Sequence, residues 1–230
     1  MSNALYGIVP AAFTNAIATL IAADGTAAKV LVEPQSAAAA TANTPLLYGG
    51  ASAIDITAAS TDAVAKDVIM WHGQALTTVG GATGVASMTT GTITRATGSF
   101  ITDGWKPGDL VMVFNAPDQA RQAGVDGVLG AVTAVAAGTL TVNGTPFSAA
   151  TITTGARICR MAYDLRAPVA ANSGTNGTSA TVNLLNNAND GSVIRYERKL
   201  GANELLAVSV AAAVSALPAY ITVRAQVAKY

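Results

Sequence analysis

The stretch DGWKPGDLVMVF at residues 103–114 carries the pattern that decides the fold. Asp103-Gly104 and Lys106-Pro107-Gly108-Asp109 flank Trp105 with residues that favour turns, and the apolar run Leu110-Val111-Met112-Val113 follows at once. A short apolar run bounded by turn residues is typical of a β-strand. The stretch therefore predicts two successive turns that lead into a strand over Asp109–Phe114.

The same pattern recurs along the whole chain, at short intervals and separated by Gly, Pro, Asn, Asp and Ser. No window shows the apolar spacing of an amphipathic helix. Regularly spaced short strands of this kind are typical of an all-β sandwich or barrel. The other predicted strands are Ala16–Ile21, Ala28–Val32, Ala53–Thr57, Asp67–Trp71, Val128–Val135, Gly138–Val142, Arg157–Met161, Ala180–Leu185, Ser192–Tyr196, Leu205–Val210 and Tyr220–Val227.

Two dipeptides have the residues that tight hairpins need. Asp24-Gly25 lies between two alternating runs, and Asn143-Gly144 follows Leu140-Thr141-Val142. Asn-Gly and Asp-Gly supply the positive φ angles of the common two-residue hairpin turns. We predict a turn at each position.

A shift in composition predicts a domain boundary. Residues 80–91 and 170–179 are rich in small and polar residues and contain no charge, as flexible connections are. We predict a β-sandwich or jelly-roll-like base domain from residues 15–76 plus 163–230, interrupted by a small β-barrel-like domain at 77–162. Paired outer strands would bring the two ends of such an insertion together. Residues 1–14 are predicted to form an extended arm.

The charge balance of the chain limits the kinds of partner that it is expected to bind. Of the 230 residues only 11% are charged, 13 positive and 13 negative, while 51% are hydrophobic and Ala (49) and Thr (27) make up a third of the chain. Hydrophobic content this high predicts a folded chain. Zero net charge gives no general basic field, so we expect no nucleic acid partner. A neutral surface favours association, so we expect a homo-oligomer. The basic group Arg195, Arg198 and Lys199 is interpreted as a solvated strand end.

Two charge-free segments resemble membrane or export signals only superficially. Residues 1–23 have no basic region before an apolar stretch, and Pro10 interrupts that stretch. Residues 205–223 contain Ser209, Ser215 and Pro218. We expect no membrane partner and no cleaved export signal.

The sequence offers no recognisable catalytic equipment. The single histidine, His72, and the single cysteine, Cys159, form no nucleophile and base motif and no zinc set. Cys159 lies in an alternating run and is predicted to be a buried structural thiol. We therefore predict no enzyme, no catalytic, cofactor-binding or metal-binding residues, and no cofactor. The carboxylates weighed and set aside are Asp62, Asp67, Asp103, Asp109, Asp118, Asp126, Glu33, Glu197 and Glu204.

Two parts of the chain resemble structural proteins of tailed bacteriophages. The run GSFITDGWKPGDLVMV at 98–113, followed by residues 127–135 and Thr139-Leu140-Thr141-Val142, resembles a small β module common in these proteins. The outer part resembles head-decoration proteins through AADGTAAKVL at 22–31, ITAASTD at 56–62 and ITVRAQVAKY at 221–230.

The resemblance implies a decoration, or cement, protein that binds the outside of a capsid and stabilises the shell. Its partner would be the major capsid protein. It would be made in the host cytoplasm and would lie on the exterior of the virion. It would form an oligomer, and the family expectation is a trimer. The arm Met1–Thr14 is the candidate segment for contact with a neighbouring chain. Two alternatives stay open: a tail component such as a tube, baseplate or fibre-associated subunit, and a carbohydrate-binding β protein that uses Trp71 and Trp105. Both tryptophans are expected instead to be core or turn-packing residues.

Overall fold

The computed structural model describes residues 12–33, 50–80, 86–115, 120–152, 154–174, 180–185, 197–201 and 203–229. These residues form an all-β protein with fifteen strands, one short 3-10 helix at Ala22–Asp24 and no α-helix. No helix long and apolar enough to cross a membrane occurs in this part of the chain. The strands are β1 Ala12–Ile21, β2 Lys29–Val32, β3 Gly50–Ser60, β4 Lys66–Thr78, β5 Ala86–Met88, β6 Thr92–Arg95, β7 Leu110–Phe114, β8 Gly130–Ala136, β9 Thr139–Val142, β10 Ala150–Ile152, β11 Arg157–Val169, β12 Val182–Asn183, β13 Arg198–Gly201, β14 Glu204–Val210 and β15 Tyr220–Lys229.

Alternation of buried and exposed residues explains why these segments are strands. In β9, Leu140 and Val142 are buried while Thr139 and Thr141 are partly exposed. In β15, Ile221, Val223, Ala225 and Val227 face the core. Successive side chains of a strand point to opposite faces, so a period of two buries one face against a second layer.

The strands form two antiparallel sheets. The first has the order β1-β15-β3-β12, with β13 also paired to β3. The second has the order β10-β5-β6-β9-β8-β7-β11-β4-β14-β2. Strands β4 and β11 pair along their whole length, from Arg157 opposite Thr78 to Val169 opposite Lys66. This long pair connects strands β5 to β10 of the second sheet with strands β14 and β2.

Two main clusters of buried side chains lie at the two ends of the long pair. The first lies between the sheets and takes its members only from residues 18–32, 51–70, 165–185 and 200–227. The second takes its buried members only from residues 79–158 and surrounds Phe100, Trp105 and Leu140. A smaller cluster around Trp71, Met112 and Phe114 joins them. The domain boundaries at 76/77 and 162/163 stay a prediction, since β4 and β11 run through both without a break.

Three finer expectations differ from the structure. Neither the jelly-roll topology nor the inserted barrel is confirmed, and no sheet closes among the described residues, because β4 and β11 join the insert strands to the base sheet as one open ladder. Residues 12–14, predicted as part of the arm, belong to β1, while residues 1–11 lie outside the described residues. Residues 86–88, predicted as part of a flexible connection, form β5, because Ala86 and Met88 are buried in the second cluster.

The predicted turns also had mixed outcomes. The turns around Trp105 are confirmed, with positive φ at Gly104 and Gly108. The turn at Asp24-Gly25 is confirmed, with positive φ at Gly25, but it is not a hairpin turn, because β1 and β2 belong to different sheets and the short 3-10 helix makes a corner between them. Most predicted strands are present, whereas Ser192–Tyr196 lies outside the described residues.

Candidate functional site

The site that the structure offers is an exposed, largely apolar surface at the end of the sandwich where β4 begins. Hydrogen bonds bring together the β3–β4 loop and the β14–β15 loop at this end. Three of its large apolar side chains are strongly exposed: Leu217 at 75%, Val64 at 55% and Tyr220 at 40%. We call this surface the apolar end; its exposed residues are Val64, Ala211, Ala212, Ala213, Ala216, Leu217, Pro218 and Tyr220.

A buried carboxylate, Asp62, holds the apolar end together. Its Oδ1 accepts hydrogen bonds from the Val64 N–H at 3.0 Å and the Ser215 hydroxyl at 2.8 Å. Its Oδ2 accepts the Ser215 N–H at 2.9 Å and lies 3.8 Å from the Lys66 Nζ. The Asp62 carbonyl also accepts the Asn172 N–H at 2.9 Å. One side chain, fully buried, thus joins two loops, and its backbone joins a third.

The ionisation of Asp62 follows from this arrangement. Burial alone would raise the pKa of its carboxyl group. Hydrogen bonds from Ser215 and Val64, together with the charge of Lys66, outweigh burial and hold the pKa of Asp62 below its ordinary value. The carboxylate is therefore ionised at neutral pH and accepts all of these bonds at once.

A second polar cluster lies at the corner between β1 and β2 and has a structural character. The Asp24 carboxylate pairs with Lys29 Nζ at 2.9 Å and with Arg121, and it accepts the Ile21 N–H at 2.8 Å. An adjacent cavity of about 430 Å³ is lined by Lys29, Arg121 and Arg157 but also by Glu33, and Arg157 pairs with Glu33. Because each of these cations already faces a carboxylate, the cluster fixes the corner.

A buried acid, Asp126, lines the same cavity. It accepts the N–H groups of Asn115 at 2.9 Å and Gln122 at 2.6 Å. Burial raises the pKa of Asp126, although these two bonds and the charge of Arg121 act in the opposite direction. Through these two hydrogen bonds Asp126 holds the segment between β7 and β8 against the end of β7.

The two tryptophans are core residues, as the sequence predicted. The Trp71 N–H donates to the Ser209 hydroxyl at 2.9 Å, and its ring packs edge-on against Tyr163. The Trp105 N–H donates to the Thr77 hydroxyl at 3.2 Å. Their exposed fractions are 8% and 3%, so neither ring is an exposed platform for a sugar.

The remaining residues that the sequence singled out are dispersed. His72 Nε2 lies 3.5 Å from Glu204 Oε2 on neighbouring strands. Arg198 pairs with Asp164 at 2.6 Å and Lys199 with Glu197 at 3.2 Å, whereas Arg195 and Asp118 lie outside the described residues.

No metal cluster forms from these side chains. Asp103 pairs with Arg95, and Asp109 accepts the Lys106 N–H at 2.8 Å. Within the described ranges, no three His, Cys, Asp or Glu side chains are grouped closely enough to hold a metal ion.

Cys159 is completely buried, which confirms its predicted setting. Burial raises the pKa of its thiol to about 12, against a smaller opposing effect of the Arg157 charge. The thiolate is the reactive form, so we expect no reaction with a thiol reagent at pH 8 in the folded protein and full reaction in denaturant. Absorbance after addition of a disulfide reagent measures both, and rapid labelling of the folded chain would contradict this burial.

Sequence reasoning missed the role of Asp62. Its partner Ser215 lies 153 positions further along the chain. The only local signal is an aspartate two residues before the N–H of Val64, which is typical of an Asx turn.

Comparison with protein-family models, with curated proteins and with solved structures gives no significant match for this chain.

Proposed function

We propose that this chain is a structural virion protein of a tailed bacteriophage that binds the outer surface of the capsid and stabilises the shell. Its partner is the major capsid protein, and it acts as a homo-oligomer on the virion exterior after synthesis in the host cytoplasm. The observation that carries the proposal is the apolar end, an exposed and largely apolar surface whose two loops are joined by Asp62. Contiguous exposed apolar surface on a folded domain marks a site for another protein.

The mode of stabilisation follows from mass action. A protein that binds only the assembled shell adds its binding free energy to that state alone. It needs no chemistry, only a surface that fits several shell subunits. The low charge content of the chain keeps repulsion between many neighbouring copies small.

The arrangement of the two ends supports an orientation on the shell. Strand β4 begins at Lys66 beside the apolar end and finishes at Thr78 beside the insert, about 40 Å away at the usual rise per residue. Docking through the apolar end would leave the insert pointing away from the shell. In this proposal the base is jelly-roll-like and the small insert at 77–162 is the projecting part.

Immunogold labelling of intact virions tests the proposal. We expect gold spread over the head in many copies, and heads lacking the protein should rupture at a lower temperature. Gold confined to the tail would overturn the proposal and indicate a tail component. An unlabelled particle would also overturn it and would favour a carbohydrate-binding protein.

A charge placed on the apolar end should weaken binding to the shell. We expect Leu217→Lys to weaken binding to purified heads at least about tenfold, because a buried unpaired ammonium is costly at an apolar interface. The stability of the free protein should change by no more than about 0.5 kcal/mol, since the Leu217 side chain is exposed. Co-sedimentation with heads that lack the protein measures the binding.

The matched control is Ile101→Lys. Ile101 is a 60% exposed apolar residue in a turn of the insert, far from the apolar end. This variant should bind heads as the unchanged protein does. Equal loss of binding in both variants would rule out the apolar end as the docking surface.

A further inference from the structure

Among the described residues, strand β1 forms an edge of the first sheet with no strand beyond it. It pairs with β15 over ten consecutive residues, from Ala12 opposite Lys229 to Ile21 opposite Tyr220, without a bulge. No described strand pairs with its other side. An edge strand of this length exposes a row of backbone N–H and C=O groups that can template a further strand.

The hydrogen bonds of the sheet identify which backbone groups face outward. Both backbone groups of Tyr220 in β15 point to the β3 side: its N–H donates to the Thr61 hydroxyl at 2.9 Å, and its carbonyl accepts the Thr61 N–H at 2.9 Å. Residues opposite each other in an antiparallel pair alternate between bonded and non-bonded positions. Ile21, opposite Tyr220, is therefore a non-bonded position, and the N–H and C=O groups of residues 21, 19, 17, 15 and 13 point away from β15.

Two of the five outward positions already have partners. The Thr19 carbonyl accepts the Lys29 ammonium at 2.6 Å, and the Ile21 N–H donates to Asp24 Oδ2 at 2.8 Å. The outward groups of residues 13, 15 and 17 have no partner among the described residues. The open part of the edge is therefore the half of β1 that precedes Thr19.

This half lacks the usual protection against pairing. Sheet edges are normally blunted by charged side chains, proline or a bulge. The strand AFTNAIATLI contains no charge and no proline, and its register is continuous. Ile17 is exposed at 58% on the solvent face.

We propose that two copies of this chain associate through antiparallel pairing of their β1 strands, with Asn15 of one copy opposite Asn15 of the other. In this register residue 13 lies opposite residue 17 and residue 17 opposite residue 13, so all the open backbone groups of both copies are paired. This register uses only the outward groups of residues 13, 15 and 17, so it does not require the groups of Thr19 and Ile21 that already bond Lys29 and Asp24. The two five-stranded sheets become one ten-stranded sheet.

The side chains favour a second copy over a strand of another kind. A twofold axis at Asn15 places this residue opposite its own copy and keeps the copies of its neighbours close to one another, so a charge at or near the axis would repel its own copy. The strand has no charge to repel. The Asn15 amide, exposed at the axis, has both a donor and an acceptor and is therefore complementary to itself.

The β1 pairing specifies how the proposed homo-oligomer forms. Only the biological role of the dimer rests on the proposed function. A virion label on the head together with a monomer in solution would leave decoration standing and remove the pairing. A dimer in solution that labels no particle would do the reverse.

Charge exchange at Asn15 tests the pairing on the full chain. We expect the unchanged protein to sediment as a dimer, and Asn15→Lys and Asn15→Asp each to raise the dimer dissociation constant by at least about tenfold through like-charge repulsion at the axis. An equimolar mixture of the two variants should recover the dimer, because each mixed pair then has opposite charges. Analytical ultracentrifugation over a concentration series measures all of these states.

The matched controls are Gln226→Lys and Gln226→Asp. Gln226 is exposed and lies directly opposite Asn15, but on the interior strand β15. These variants should dimerise as the unchanged protein does. A monomer at every concentration, or an oligomer that the Asn15 variants leave intact, overturns the proposal.

Discussion

Replacement of Gly127 by alanine should lower the stability of the folded protein by about 3–6 kcal/mol, which would reduce its melting temperature by roughly 10 °C or more. Gly127 has φ +74°, a region that side chains disfavour. A Cβ atom there would overlap the Ala28 carbonyl oxygen and lie 2.6 Å and 2.7 Å from the Ala28 carbonyl carbon and nitrogen. These neighbours are backbone atoms and cannot rotate away.

The clash would also break the contact between base and insert. The Ala28 N–H donates to the Gly127 carbonyl at 2.8 Å, and the Gly127 N–H donates to the Val113 carbonyl at 2.8 Å. Relief of the overlap requires the segment after β7 to move off β2. Thermal unfolding followed by circular dichroism measures the loss.

Gly104→Ala separates backbone strain from the clash. Gly104 also has positive φ, +91°, but a Cβ there meets no atom within 4 Å. We expect only the cost of the conformation, about 1–2 kcal/mol. Equal destabilisation by both substitutions would show that Ala28 and Gly127 are not in contact.

The strands were predictable from the sequence because their signal is local. Alternation in ITVRAQVA at 221–228 and the turn chemistry before Leu110 report directly on burial and on φ. The same alternation placed Cys159 in the interior. Strands with such a pattern can be predicted without knowing which distant residues they contact.

The corner at Asp24 shows where local signals fail. Asp24-Gly25 has hairpin chemistry, yet the Asp24 carboxylate is held by Arg121, 97 positions away, and by Lys29. Lys29 is the first residue of β2, and β2 pairs with β14 in the second sheet. A local dipeptide preference of the order of 1 kcal/mol is too small to determine the chain path where such long-range interactions act.

The apolar end could be predicted only in part from the sequence, because it too depends on contacts between distant residues. The charge-free stretch at 205–223 is evident in the sequence, but its exposure depends on which of its residues the sandwich buries. Val214 and Ala219 are buried, whereas Leu217 is exposed. The hydrogen bonds between Asp62 and Ser215 that set this pattern join two loops far apart in the chain.

Removal of the Asp62 carboxylate should both destabilise the fold and loosen the apolar end. We expect Asp62→Ala to cost about 3–5 kcal/mol, because the partly buried N–H groups of Ser215 and Val64 lose their acceptor and Lys66 loses its counter-charge. Asp67→Ala is the matched control, because it removes only an exposed pair with Arg166, worth less than about 1 kcal/mol. Denaturant unfolding measures both, and an equal cost would contradict the role of Asp62.

Asp62→Asn isolates the effect of the charge on stability at different pH. The pKa of Asp62 is lowered in the folded protein, so the unfolded chain binds this proton more readily than the folded chain does. The stabilisation from the ionised carboxylate is thus complete above about pH 4, the range of a free aspartate, and is lost as the pH falls through the lowered folded value.

The difference in unfolding free energy between the unchanged protein and Asp62→Asn should therefore be constant near neutral pH and shrink below about pH 4. Asp126, whose pKa is raised, changes stability with the opposite sign, but it is present in both proteins and cancels in the difference. A difference that stays constant down to the lowest pH at which both proteins fold would show that the pKa of Asp62 is the same in the folded and unfolded chains, so that its ionisation adds no net stability. Such a result would mean that the charge of Asp62 contributes nothing to joining the two loops, and only the hydrogen-bond geometry of the side chain would then support the apolar end.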